Sequence, residues 1–214
     1  MRNKGESKIR TIFSKAEKLP FFSLDNLTSL EKDKNYLRTL FSRYKKSGKT
    51  IRLKKGIYVA KSYVDGIEKA GSVVDYVEFL TGTICPSYLS LDYVLHKHNV
   101  ITEMPVNFTA ITKKKTTSFV NELGKFVYHS VKPSLFCGYK IIKKGEFSIF
   151  EATKAKALFD FLYLRKDYIA SDEAAKELRL NLGEFDDKDR KELMGYIELE
   201  GSKAMKRIYT YLFK

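Results

Sequence analysis

The stretch from Asp33 to Ala60, DKNYLRTLFSRYKKSGKTIRLKKGIYVA, decides how the N-terminal part of this 214-residue chain is read. Leu37, Leu40, Phe41 and Tyr44 fall at i, i+3, i+4 and i+7, so they share one stripe and predict the buried side of an amphipathic helix. Helical geometry then fixes the opposite side: Asn35, Thr39, Ser42 and Lys46, flanked by Arg38 and Arg43, with no acidic residue among them. Such a face mixes side chains that hydrogen-bond base edges with side chains that hold phosphates. After Gly48 the period changes. Ile51-Arg52-Leu53, the tip Lys54-Lys55-Gly56 and Ile57-Tyr58-Val59 alternate as the two strands of a hairpin. A basic helix followed by a basic hairpin is the layout of a recognition helix and its wing, and it predicts a winged helix-turn-helix.

The residues upstream fit that arrangement. Ile9, Ile12, Phe13 and Ala16 predict a short amphipathic helix over Ser7–Lys18, closed by Leu19-Pro20. Ser23 is placed to cap a brief helix through Leu24 and Leu27, with Asp25 in its first turn. Either Ser29 or Asp33 can cap the basic helix that follows.

Charge distribution points to the same segment. The net charge is +14, and residues 1–60 hold 16 Lys and Arg against 5 Asp and Glu, whereas residues 61–214 hold 24 against 21. A cationic excess confined to one segment predicts a polyanionic partner. Nucleic acid is preferred to membrane, because no segment has the Trp- and Leu-rich apolar face of an interfacial helix. The 43% hydrophobic and 14% aromatic content predicts a folded protein. No apolar run approaches the ~18 residues of a membrane span. The N-terminus MRNKGESKIR has no apolar core of a signal peptide, so a cytoplasmic protein is expected.

Residues 1–62 are thus expected to form the winged helix-turn-helix and 63–72 a linker, since 61–72 (KSYVDGIEKAGS) has two glycines and no sustained apolar period. Residues 73–214 are expected to form an α+β C-terminal domain. In it, positions 73, 74, 77 and 80 predict a helix, and Pro86-Ser87 is read as the start of another that places Leu91, Val94, Leu95 and His98 on one face. The β-prone runs 106–112, 117–121, 125–131, 139–142 and 146–150 predict an antiparallel sheet. Residues 110–146 carry 8 basic against 2 acidic residues, a second positive zone. Ala157, Leu158, Phe161 and Leu162 mark a core helix, and Ser171, Asp186 and Ser202 are caps of later ones, the last carrying Met205, Ile208, Tyr209 and Leu212.

Catalytic signals are absent from the sequence. Cys85 and Cys137 lie far apart and outside any CxxC pair, so free thiols are expected. His96 and His98 are two apart and diverge on a helix, and His129 stands alone. There is no HExxH, Walker A, GxSxG or GxGxxG pattern. Gly71-Ser72 with Asp75 lacks the second carboxylate of a nucleotidyltransferase site. Glu151 and Lys154 have the wrong spacing for a strand-borne Glu-x-Lys pair, in which both side chains share a face at period two. No catalytic residue, metal or cofactor is predicted.

FSLDNL and YLRTLFSRYKKSGKTIRLKKGIYV resemble the winged helix of AbiEi-type antitoxins from type IV abortive-infection toxin–antitoxin systems. PSYLSLDYVLHKHNVITEMP, FTAIT, FVYHSVKPSLFCGY and EATKAKALFDFLYLR are similar to that family's C-terminal domain in the same order, and the likeness covers about residues 20–165. One departure is visible: Thr153-Lys154-Ala155-Lys156-Ala157-Leu158 stands where the family usually has a Thr-Pro-Glu-Lys-Ala-Leu-like helix start. The resemblance implies a phage-defence antitoxin that binds inverted repeats in its own promoter as a repressor. It also implies opposition to a nucleotidyltransferase toxin without a stable toxin–antitoxin complex.

On this reading Arg38 is the candidate for bidentate contact with guanine and Asn35 with adenine, and Thr39 and Ser42 are secondary readers. Arg43, Lys45, Lys46, Arg52, Lys54 and Lys55 are the candidate phosphate contacts. Two other classes remain open: a metal-dependent nuclease fused to a helix-turn-helix, and a ligand-responsive repressor.

Overall fold

The computed structural model describes residues 3–213, with side chains from Lys8 onward. The chain divides into two compact units, one made of the residues up to Val77 together with Phe119–Gly124, the other of Glu78–Ser118 and the residues from Lys125 onward.

In the first unit the order is α1 (Asn3–Ala16), β1 (Phe22–Ser23), a 3-10 turn at Leu24–Leu27, α2 (Lys34–Lys46), β2 (Thr50–Lys54), β3 (Ile57–Ala60) and α3 (Lys61–Lys69). Asp33, rather than Ser29, caps α2: its carboxylate accepts from the backbone N–H of Asn35 at 2.8 Å and of Tyr36 at 3.1 Å. Arg43, Lys45 and Lys46 occupy the last turn, where the helix dipole favours cations. The chain leaves α2 through Gly48 at φ +71, which lets Lys49 N–H reach the Tyr44 carbonyl at 2.9 Å and Gly48 N–H the Lys45 carbonyl at 3.1 Å. These are the paired bonds of a Schellman stop, and a residue with a Cβ would be strained in that backbone.

The predicted stripe is the core of this unit. Leu37 and Phe41 are fully buried with Ile12, Ala16, Phe22 and Leu27, and Ile9, Phe13 and Tyr44 pack against them. The Phe41 ring lies 4.8 Å from Phe22 and 5.9 Å from Tyr58, which ties α2 to a three-stranded sheet in the order β1-β3-β2. Residues 63–72, expected as a linker, are helical through Lys69: α3 buries Val64, and Ile67 is half-buried beside it. Val64 and Ile67 are three apart, a two-residue stripe too short to register as a period.

Helix α4 (Val73–Ile84) contains the division between the units. Its buried apolar residues are Tyr76, Val77, Leu80 and Ile84, while Val74, expected on the inner face, is 55% exposed. The second unit continues with β4 (Ser87–Leu89), α5 (Leu91–Lys97), β5 (Phe108–Thr112), β6 (Thr117–Asn121), β7 (Gly124–Ser130), β8 (Tyr139–Lys144), β9 (Phe147–Ala152), α6 (Lys154–Arg165), α7 (Asp172–Lys176), α8 (Asp187–Glu200) and α9 (Lys203–Leu212). The tip of the β6–β7 hairpin, Phe119–Gly124, counts with the first unit, where Asn121 Nδ2 donates to the Leu53 carbonyl at 3.2 Å.

Two expectations for this part are corrected. Pro86-Ser87 does not open a helix, because Ser87–Leu89 is a strand buried along its whole length. The sheet is not purely antiparallel. Its order is β6-β7-β5-β4-β9-β8; β4–β5 and β8–β9 pair antiparallel, but β5–β7 and β4–β9 pair parallel. The α+β class holds, with a mixed sheet. Among the described residues no helix is long and apolar enough to cross a membrane.

Helix α6 is the centre of the second unit, with Ala155 to Leu162 all buried. Among them, Lys156 and Asp160 form an ion pair at 2.6 Å with both side chains wholly excluded from solvent. The second oxygen of Asp160 accepts from Ser90 Oγ at 2.8 Å and from the Tyr88 hydroxyl at 3.1 Å. Burial pushes the Asp160 carboxyl above the usual range, while Lys156 and the two hydroxyls pull it back. A second buried carboxylate, Glu78, is held by Lys97 at 2.9 Å, Lys144 at 3.2 Å and the Tyr93 hydroxyl at 2.8 Å.

Candidate nucleic-acid interface

The exposed face of α2 and the β2–β3 hairpin bound a cleft of ≈ 470 Å³ in the first unit. Arg38, Ser42 and Lys45 line it from the helix, Arg52, Lys55, Gly56 and Tyr58 from the hairpin, and Leu24 from the 3-10 turn. Helical spacing explains the first group: residues 38, 42 and 45 follow the i, i+4, i+7 line along one flank of α2, next to the buried stripe. Strand register explains the second. Arg52 pairs directly with Tyr58, and directly paired residues share a face, so the guanidinium and the ring come to the same side. The ladder shifts between Arg52 and Lys54, and the two-residue tip turns at Gly56, whose φ of +84 suits glycine.

Four cationic side chains therefore surround one cleft with no carboxylate in its lining. Four acids of the same unit are engaged elsewhere. Asp25 pairs with Lys34 at 2.5 Å, Glu31 with Lys8 at 2.7 Å, Asp33 caps α2, and Glu17 accepts from Ser62 at 2.9 Å. The hydrogen bond from Lys8 holds the Glu31 carboxyl below its ordinary range. Arg38 and Asn35 are coupled: Arg38 Nη1 donates to Asn35 Oδ1 at 2.7 Å, so the two candidate readers act as one exposed unit. Arg52 Nε donates to the Lys54 carbonyl at 3.4 Å, and the side chain is exposed in the cleft lining.

The structure brings Arg38, Ser42, Lys45, Arg52 and Lys55 together and reaches Asn35 through Arg38. Thr39, Arg43 and Lys46 are exposed on α2 but outside the cleft lining, and Lys54 is half-buried at the end of β2. Leu24 and Tyr58, which floor the cleft, were not anticipated. The alternation of the hairpin carried the signal for Tyr58, but its register with Arg52 is a pairing between strands and is not readable from either strand alone.

The remaining candidates for chemistry do not assemble. Glu151 is buried and bound by Lys97, while Lys154 pairs with Asp189 at 2.6 Å, so the two engage different partners. Cys85 is buried and Cys137 half-buried, both as free thiols. Among the described residues no group of three or more His, Cys, Asp and Glu is placed to hold a metal ion. No family model and no curated protein sequence matches the chain.

Proposed function

We propose that this protein binds double-stranded DNA through its first unit, acting as a winged helix-turn-helix with α2 as the reading helix and the β2–β3 hairpin as the wing. The single observation that carries this reading is the cleft between them, with Arg38, Lys45, Arg52 and Lys55 around it and no acid in its lining. The lining holds no carboxylate to balance these cations, and a polyanion supplies the missing charge while releasing condensed counterions. Arg38, oriented by Asn35, reads a base edge. The lysines and Arg52 hold the backbone on either side and set the register.

The resemblance of residues 20–165 to AbiEi-type antitoxins supports a more specific role. In that role the protein represses its own promoter at inverted repeats and counteracts a cognate nucleotidyltransferase toxin. DNA binding has independent physical support in the cleft; the antitoxin role rests on the sequence resemblance.

Gel shifts on the DNA upstream of the gene test the first part. The wild type is expected to form a discrete complex that competitor DNA does not remove, and a variant with Arg38, Lys46 and Lys55 all changed to alanine is expected to lose it. Retention of the complex by that variant defeats the assignment of α2 as the reading helix. Co-expression with a nucleotidyltransferase encoded next to this gene tests the second part, with rescue of growth as the readout. Incubation with plasmid and Mg²⁺ or Mn²⁺ separates both from a nuclease, for which cleavage abolished by EDTA is the expected result.

A further inference from the structure

The second unit holds a cleft of ≈ 390 Å³ to which DNA binding assigns no role. Its walls are aromatic. Tyr139 on β8 stands edge-on to Phe136, with centroids 5.5 Å apart, and to Phe150 on β9, at 6.0 Å. Phe150 remains 39% exposed. Strand alternation accounts for this, since Phe147, Ile149 and Glu151 take the buried side of β9 and turn Phe150 the other way. Gly82 on α4 forms part of the lining and leaves room that a side chain would fill.

Charge at this site has one sign. Lys113 and Lys114 line the cleft, Lys113 Nζ lies 5.2 Å from the Phe136 ring centroid, and no carboxylate takes part. The two aliphatic hydroxyls of the lining already donate within the fold: Ser87 Oγ to the Cys85 carbonyl at 2.7 Å, and Thr112 Oγ1 to the Pro86 carbonyl at 2.8 Å. The charged donors at the site are the two ammonium groups. An apolar, ring-walled cleft of this size with a small number of placed charges is the usual form of a small-molecule site. Aromatic walls take a flat ligand, and lysines take its negative charge.

We propose that this cleft binds a small planar aromatic anion, with its rings against Phe136, Tyr139 and Phe150 and its charge against Lys113 and Lys114. The site is independent of DNA binding by the first unit. It gives the protein a small-molecule input.

Two fluorescent probes with the same rings separate the two halves of the claim. 1-Anilinonaphthalene-8-sulfonate carries one negative charge, and N-phenyl-1-naphthylamine carries none. Titrated into the full chain, the sulfonate is expected to saturate at one site and to bind about fivefold or more tightly than the neutral probe, the preference that two exposed cations can supply. Gly82→Leu is expected to abolish this site for both probes. A Cβ at position 82 meets only Phe150 Cδ2 and the Ser87 carbonyl, each at an ordinary 3.7 Å, so the added side chain enters the cleft. Lys113→Ala with Lys114→Ala is expected to bring the sulfonate down to the affinity of the neutral probe, and thermal unfolding of each variant reports that it is folded. The proposal is overturned if no saturable binding occurs, if folded Gly82→Leu binds the sulfonate as the wild type does, or if the lysine double variant keeps the preference for the charged probe.

Discussion

Helices α2 and α6 each carry a close polar pair, in opposite surroundings. On α2, Arg38 bonds Asn35 at 2.7 Å on an exposed face; on α6, Lys156 bonds Asp160 at 2.6 Å with neither side chain touching solvent. The distances barely differ, so the contact itself does not set the role. Solvent does. An exposed guanidinium keeps its hydration and can exchange it for a base or a phosphate, so its energy appears on binding. A buried ammonium has lost its hydration on folding, and Asp160 and the rings of Phe159 and Tyr196 replace it, the rings at 4.5 and 5.2 Å, while the Tyr88 and Ser90 hydroxyls do the same for the Asp160 carboxylate. The first pair is available to a partner and the second serves the fold.

The sharpest break of that comparison is Asp160→Ala. It strands the Lys156 ammonium in the core and is expected to destabilise the protein by about 3–5 kcal/mol, measured by urea unfolding. Lys156→Met with Asp160→Leu removes both charges and is expected to recover most of that loss; equal destabilisation by the double variant would show that the pair contributes more than mutual neutralisation.

Arg38→Ala is expected to leave unfolding unchanged within about 0.5 kcal/mol and to cost about 1–3 kcal/mol of DNA affinity at one operator position. A selection from randomised duplexes reads that position directly. Uniform loss across all sequences would instead make Arg38 a backbone contact.

A smaller effect comes from the histidines of the second unit. Burial lowers the pKa of both His98 and His129 below 6.5. Between that lowered value and 6.5 the unfolded chain binds the proton and the folded chain does not, so stability rises with pH across this window and falls on acidification through it. Each histidine contributes at most about 1.4 kcal/mol per pH unit there. Melting temperatures from pH 7.5 down to 5 are expected to drop less in a His98→Gln, His129→Gln variant, and an unchanged slope would assign the acid sensitivity to other groups. The smallest expected effect is that of Lys55→Ala, which should weaken binding to all duplexes alike and flatten the plot of log affinity against log salt by about one.

How far the sequence carries depends on how far apart the interacting residues lie. The body and end of helix α2 were legible because its apolar period and its Gly48 stop are local, while its start stayed open between Ser29 and Asp33 until the structure placed the cap at Asp33. The hairpin was legible for the same reason, with its tip at Lys55-Gly56. Strand β4 was misread because all of Ser87–Leu89 is buried, and a strand covered on both faces shows no alternation to separate it from a helix. Helix α3 was missed for want of length in its apolar stripe. For the candidate interface, the cationic residues of α2 and the hairpin could be named in advance, but which of them surround one cleft could not. Arg43 and Lys46 read as well as Arg38 and Lys45, and only packing against the hairpin separates the two sets.

The sequence alone determined the charge imbalance, the exposed face of α2 and the alternation of β2 and β3, since these follow from residue type and from the geometry of one element at a time. Tertiary structure decided the rest. It placed Arg52 across from Tyr58, paired β5 with β7 and β4 with β9 in parallel, gathered Phe136, Tyr139 and Phe150 beside Lys113, and enclosed Lys156 with Asp160. Each of these depends on residues that meet only when separate elements pack, and local periodicity records which face of an element is apolar, not what comes to cover it.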